Sequence, residues 1–158
     1  MIGFIIIEFW SKTQGGFILG RNVTIQVWNK TQGNFLFVSD TIIHGKYQNG
    51  CKPPTEISKD KMESFEVGNH TGAKVGPKGK VTYQTTQNSE TFNIIFDWDH
   101  PFSASTSSYH CYSSPIGKVT AVLSPEHPIG HNQSITWTVQ LNREGAKFGA
   151  KCDVAYSK

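Results

Sequence analysis

A chain of 158 residues is long enough to bury one core without staples and fits one domain. Charged residues make up only 17% and aromatics 12%, while Leu is scarce and Thr, Ser, Gly, Asn, Ile, Val and Phe abound, which argues against helical bundles and for short strands with polar turns. The net charge of +3 comes from scattered lysines, and Arg21 and Arg143 are the only arginines, which argues against a nucleic-acid partner.

Met1 to Ile7 is apolar but stops at Glu8. It lacks a basic start and a small-residue cleavage site, so it is a poor signal peptide. The expectation is a protein that is cytosolic, is exported by another route, or is missing its leader. No apolar run reaches the ~18–20 residues a membrane helix needs.

Ile5 to Leu19 and Val23 to Phe37 share one pattern: an apolar strand, a Lys-Thr-Gln-Gly turn, then another apolar strand. The pattern predicts two similar hairpins. In the second copy Val23, Ile25 and Val27 share one face, which places Trp28 on the polar face with Thr24 and Gln26. Trp10 likewise falls opposite Ile5, Ile7 and Phe9.

Strands are next expected around Ile42 and Ile43, from Ser64 to Val67 and from Lys80 to Gln84. The strongest alternation runs from Thr91 to Trp98, with Phe92, Ile94, Phe96 and Trp98 on one face. It ends at Asp99-His100-Pro101, and Ser103 to Ser114 reads as a Ser/Thr/Tyr loop. Lys118 to Leu123 and Ser134 to Leu141 are further strands, and Cys152, Val154 and Tyr156 suggest a last one. Ser58 to Phe65 carries the only helix-like stripe, and it is short. The sum is about nine short strands in an all-β, antiparallel, two-sheet β-sandwich over one domain, 1–158.

Cys51, Cys111 and Cys152 make an odd set with no metal-ligand spacing. A Cys111–Cys152 bridge and three thiols are both open readings. Asn22, Asn29, Asn69 and Asn132 head glycosylation sequons, which matter only in a secretory pathway.

The densest polar cluster is Asp97, Asp99, His100 and His110, next to Cys111. Turn capping by the two carboxylates explains it without a metal. Adjacent strand residues point to opposite faces, so His110 and Cys111 are not a nucleophile–base pair. No Gly-x-Ser-x-Gly elbow exists. An enzyme and a cofactor are therefore not expected. A small hydrolase using Asp99, His100 or His110 is kept as an alternative. Aromatics are more informative: Trp98, Phe102, Tyr109 and Tyr112 gather around one loop, and Trp28 faces the polar side. Such rings suit a membrane interface, or sugar stacking in a lectin-like module. Trp98 as the residue that closes the core at its strand end is the plainer alternative.

Phe96-Asp97-Trp98-Asp99-His100-Pro101-Phe102-Ser103 resembles the aegerolysin motif through Trp98, Asp99 and Pro101. His100 stands at the motif's Cys and Phe102 at its second Trp. The order of Arg21 to Ile25, His44 to Tyr47, Pro53 to Ile57, Gly76 to Tyr83 and Ser134 to Gln140 also resembles this family. The resemblance implies a small β-sandwich that binds membrane lipids, notably sphingolipids in sterol-rich bilayers. It also implies a larger partner protein that forms the pore, as in two-component cytolysins and insecticidal toxins. Carried over, Trp98 and Phe102 are lipid-contact candidates. Trp28, Tyr109 and Tyr112 join them from their own positions.

Overall fold

The structure, a computed structural model, describes residues 20–102 and 106–142. The first copy of the internal echo with Trp10, the Ser103 of the motif, Arg143, Cys152 and the expected last strand lie outside the described residues.

The described chain is all strand and turn. The strands are β1 (Asn22–Asn29), β2 (Phe35–His44), β3 (Lys46–Tyr47), β4 (Glu56–Ile57), β5 (Met62–Gly68), β6 (Lys78–Gln87), β7 (Glu90–Asp99), β8 (Ser108–Ser114), β9 (Val119–Ser124) and β10 (Gln133–Leu141). They form two five-stranded sheets, ordered β3-β5-β1-β10-β9 and β4-β2-β6-β7-β8. β1 and β10 pair in parallel, in register from Val23–Gln133 to Asn29–Val139. Every other pairing among the described strands is antiparallel.

Alternation builds the core as the period-two pattern requires. Val23, Ile25 and Val27 of β1 and Ile135, Trp137 and Val139 of β10 are buried from one sheet. Val81, Tyr83, Phe92, Ile94, Phe96 and Trp98 of β6 and β7 are buried from the other. Phe65 and Trp98 meet across the two sheets with ring centroids 5.6 Å apart. Burying each such side chain contributes about 1.5–3 kcal/mol.

The β6–β7 hairpin turns on Asn88 and Ser89, whose φ angles are +52° and +63°. Two consecutive left-handed residues match the right-handed twist of the flanking strands.

The structure departs from the expected hairpin at Val23–Phe37. β1 and β2 belong to different sheets, so the Lys30-Thr31-Gln32-Gly33 segment crosses from one layer to the other. A buried amide knot holds the crossing. Asn29 Nδ2 donates to the carbonyls of Gly33 and Ile57 at 2.8 and 2.9 Å. Its Oδ1 accepts from the Thr31 hydroxyl at 2.6 Å, and Gln87 Nε2 donates to that hydroxyl oxygen at 2.8 Å. A hairpin inside one sheet would not need these side chains.

The expected loop Ser103 to Ser114 also contains a strand, β8. Tyr109, Cys111 and Ser113 point inward and His110 and Tyr112 point outward. Cys111 is buried and Cys51 exposed. Ser58 to Phe65 forms no helix; β5 begins within it at Met62.

Candidate functional site

The loops group at two ends. One end holds Arg21, the β7–β8 connection around His100 and Phe102, and the 125–132 loop. The other holds the β1–β2 crossing.

His100 follows β7 into the first end and is buried at 3% exposure. One ring nitrogen, Nε2, donates to the His131 carbonyl at 2.7 Å, which leaves Nδ1 as acceptor for the Ser107 hydroxyl at 2.8 Å. Burial first, and the Arg21 charge second, push its pKa down to about 4, against an opposing pull from Asp99. The ring is therefore neutral at pH 7. A Ser–His contact suggests a nucleophile and its base. Both residues are buried, however, and Nε2 is tied to a backbone carbonyl instead of an orienting carboxylate. Asp99 faces Lys78, and His110 faces Asp97, so the three residues of the hydrolase alternative, Asp99, His100 and His110, are each engaged elsewhere. Among the described residues no three His, Cys, Asp or Glu side chains gather to hold a metal ion.

Close packing fixes the motif. A Cβ on Gly76 would lie 1.7 Å from the His100 carbonyl oxygen, and one on Gly79 would lie 2.8 Å from Trp98 Cζ2. Only glycine lets the backbone come so near. Gly76 and Gly79, on either side of the start of β6, are the sequence signal for this seat, and their meaning needs the tertiary pairing.

The five aromatic candidates do not share a surface. Trp98 is sealed in the core at 1% exposure and Tyr109 at 0%. This corrects their expected place at a contact surface: both stand on the inward side of their strands, facing the second sheet. Tyr109 donates its hydroxyl to Gln133 Oε1 at 2.5 Å, and burial drives its pKa above the ordinary tyrosine value. Phe102 is half-buried, with the Arg21 guanidinium 4.7 Å from its ring centroid. Tyr112 is half-buried on the outer face of β8, opposite Ile95.

Trp28 is 37% exposed on the outer face of the first sheet, with Lys30 Nζ 4.6 Å from its ring centroid. It lies near the far end of β1 from Arg21, roughly 20 Å along the strand at ~3.3 Å per residue. Trp28 and Phe102 therefore serve opposite ends.

What sequence reading does not reveal is the company Trp28 keeps. Met62 pairs with Trp28 across β5–β1, Thr138 pairs with Trp28 across β1–β10, and Val122 pairs with Thr138 across β10–β9. Met62, Trp28 and Val122 are 45%, 37% and 57% exposed, so three of the four members of this rung are apolar and open. The next rung, Ser64, Gln26, Thr136 and Ser124, is polar throughout.

No family model matches this chain, and no curated protein sequence matches it. Solved structures do. A structure of RahU protein in complex with a Tris molecule superposes with a TM-score of 0.62 at 15% identity, over 79% of this chain and 98% of that one. The lipid-binding protein Nakanori superposes at 0.65 and 14% identity, over 84% and 77%. IP-1A from Alcaligenes faecalis superposes at 0.54 and 15% identity, over 78% and 92%. The chain is thus a two-sheet β-sandwich of the architecture found in these three proteins. At such identities the likeness is one of fold.

Proposed function

We propose that this chain is a lipid-binding β-sandwich of the aegerolysin type, and that it docks on membranes through the Met62–Trp28–Val122 rung. The observation that carries the reading is that rung: large apolar side chains aligned and exposed on an otherwise polar sheet. An indole is suited to the membrane interface because its body is apolar and its N–H stays wet. Lys30 beside it adds weak attraction to anionic headgroups. The shared fold of Nakanori, described as a lipid-binding protein, supports the same ligand class.

The finer reading follows the aegerolysin resemblance. The ligands are sphingolipid-and-sterol bilayers, the protein acts at the surface of the target membrane, and a larger partner forms the pore. The test is co-sedimentation with vesicles that contain or lack sphingolipid and sterol. Wild type should pellet with the former, and Trp28→Ala should bind about tenfold more weakly, a loss of ~1.4 kcal/mol. Absence of binding to every mixture would end the proposal. Ile129, the most exposed large apolar side chain among the described residues at 79%, lies at the Arg21 end. Full binding by Trp28→Ala with loss in Ile129→Ser would move the docking surface to that end.

A further inference from the structure

The outer face of the second sheet carries a cleft of about 280 Å³. Two rungs wall it. One runs Thr41, Lys80, Asp97, His110 across β2, β6, β7 and β8; the other runs Lys78, Asp99, Ser108. Same-face residues on a strand are ~6.7 Å apart, so the trough between these rungs is narrow, and the Gly79–Trp98 pair lines it between them.

We propose that this cleft binds one sugar ring through its hydroxyls, a site separate from the apolar rung on the opposite face. Both carboxylates in it are already partnered. His110 Nδ1 bonds Asp97 Oδ1 at 2.8 Å, and Lys78 Nζ stands 3.6 Å from Asp99 Oδ2. A cation must displace a partner to reach either carboxylate, and an anion finds Lys80 as its one cation outside a pair, so a ligand that needs more than one counter-charge must break a pair. A neutral polyol need not. Its hydroxyls donate to the open lone pairs of the carboxylates and accept from Lys80, which makes no ion pair among the described residues. Ser108 and Thr41 can donate or accept. Ile43, 54% exposed at the rim, offers an apolar contact for ring C–H groups. A volume just under the usual ~300–1,000 Å³ of ligand pockets limits the occupant to a single ring. The aromatic residue in its lining, Trp98, is only 1% exposed and offers no platform, so recognition comes from hydrogen bonds and affinity is modest.

The ring has two sources, a free glycan or the headgroup of a glycolipid, and the test has an arm for each. Neutral methyl hexosides are titrated into the isotope-labelled protein while backbone amide signals are followed. Saturable shifts confined to residues 41–43, 78–80, 97–99 and 108–110 are expected for at least one hexoside. Asp97→Asn should weaken binding about tenfold. Thr41→Tyr, which keeps a strand-favouring residue and fills the trough, should abolish it. Preference for vesicles containing a hexosylceramide over phosphocholine-only vesicles assigns the glycolipid source; free-sugar binding without that preference assigns a glycan. Phosphocholine binding more tightly than every neutral hexoside, or no saturable shift and no glycolipid preference, would overturn the proposal. Trp28→Ala must leave the sugar titration unchanged, so failure of membrane docking and failure of this site are told apart.

Discussion

The two ends of the sandwich are closed by different chemistry. At the β1–β2 crossing the closure is an amide and hydroxyl knot of Asn29, Thr31 and Gln87, none of which ionises near neutral pH. At the other end it is Arg21, His100 and His131, where Arg21 meets the His131 ring and His131 holds His100 through its carbonyl. Both ends satisfy buried polar groups, as an interior demands. Only one of them makes stability depend on protons. A fold can therefore keep one end constant across pH while the other responds.

The largest expected effect tests whether the histidine end is anchored by the core beneath it. Trp98→Ala should cost about 3–5 kcal/mol in a urea denaturation, because it empties a fully packed site. Vesicle binding per folded molecule should survive. A stable Trp98→Ala protein that fails to bind lipid would return Trp98 to the contact surface.

Acidification comes next. The His100 pKa in the folded chain, about 4, lies below its ordinary 6.5, so between these values the unfolded chain holds the extra proton. Stability is then full above about 6.5 and falls as pH drops through the window, by up to about 3 kcal/mol. His110 runs the other way: its hydrogen bond to Asp97 raises its pKa, a contribution present at low pH and lost as pH rises through the raised value. Comparing wild type with His100→Gln by denaturation at several pH values isolates the first slope. Equal slopes would remove His100 as its source.

Asn29→Ala tests the neutral end. It strands the Gly33 and Ile57 carbonyls and the Thr31 amide, and should cost roughly 1–3 kcal/mol. The loss should be the same at pH 7 and at pH 5. A loss that changes with pH would break the contrast between the ends. Smallest is Asp99→Asn, which removes a loose, half-exposed pair with Lys78 and should move stability by no more than about 0.5 kcal/mol.

Much of this fold is legible where alternation is strong. β7 and β10 carry bulky apolar residues at every second position, so period alone assigns their faces. β8 escapes a sequence reading because its inward residues are Tyr109, Cys111 and Ser113, two of them small or polar. The crossing at Lys30–Gly33 reads as a hairpin because a polar turn has the same residues whether it joins strands within a sheet or between sheets. Alternation places Trp28 correctly on the outer face. It does not bring Met62 and Val122 beside it, since register across β5, β1, β10 and β9 is set by pairing between segments distant in sequence. Polar neighbours draw Trp98 and Tyr109 outward in the sequence reading, although Trp98 shares its parity with Phe92, Ile94 and Phe96. The two rungs of the cleft depend on register in the same way and leave no local mark.

The parallel neighbours β1 and β10 have a mechanical consequence. Tension applied at Asn22 and Leu141 pulls these adjacent strands lengthwise past each other, because the chain enters one at one end and leaves the other at the opposite end. The bonds of that ladder then carry the load together in shear, whereas an antiparallel hairpin pulled from its two tails would unzip bond by bond. A sandwich strung this way should yield at high force and in a single step.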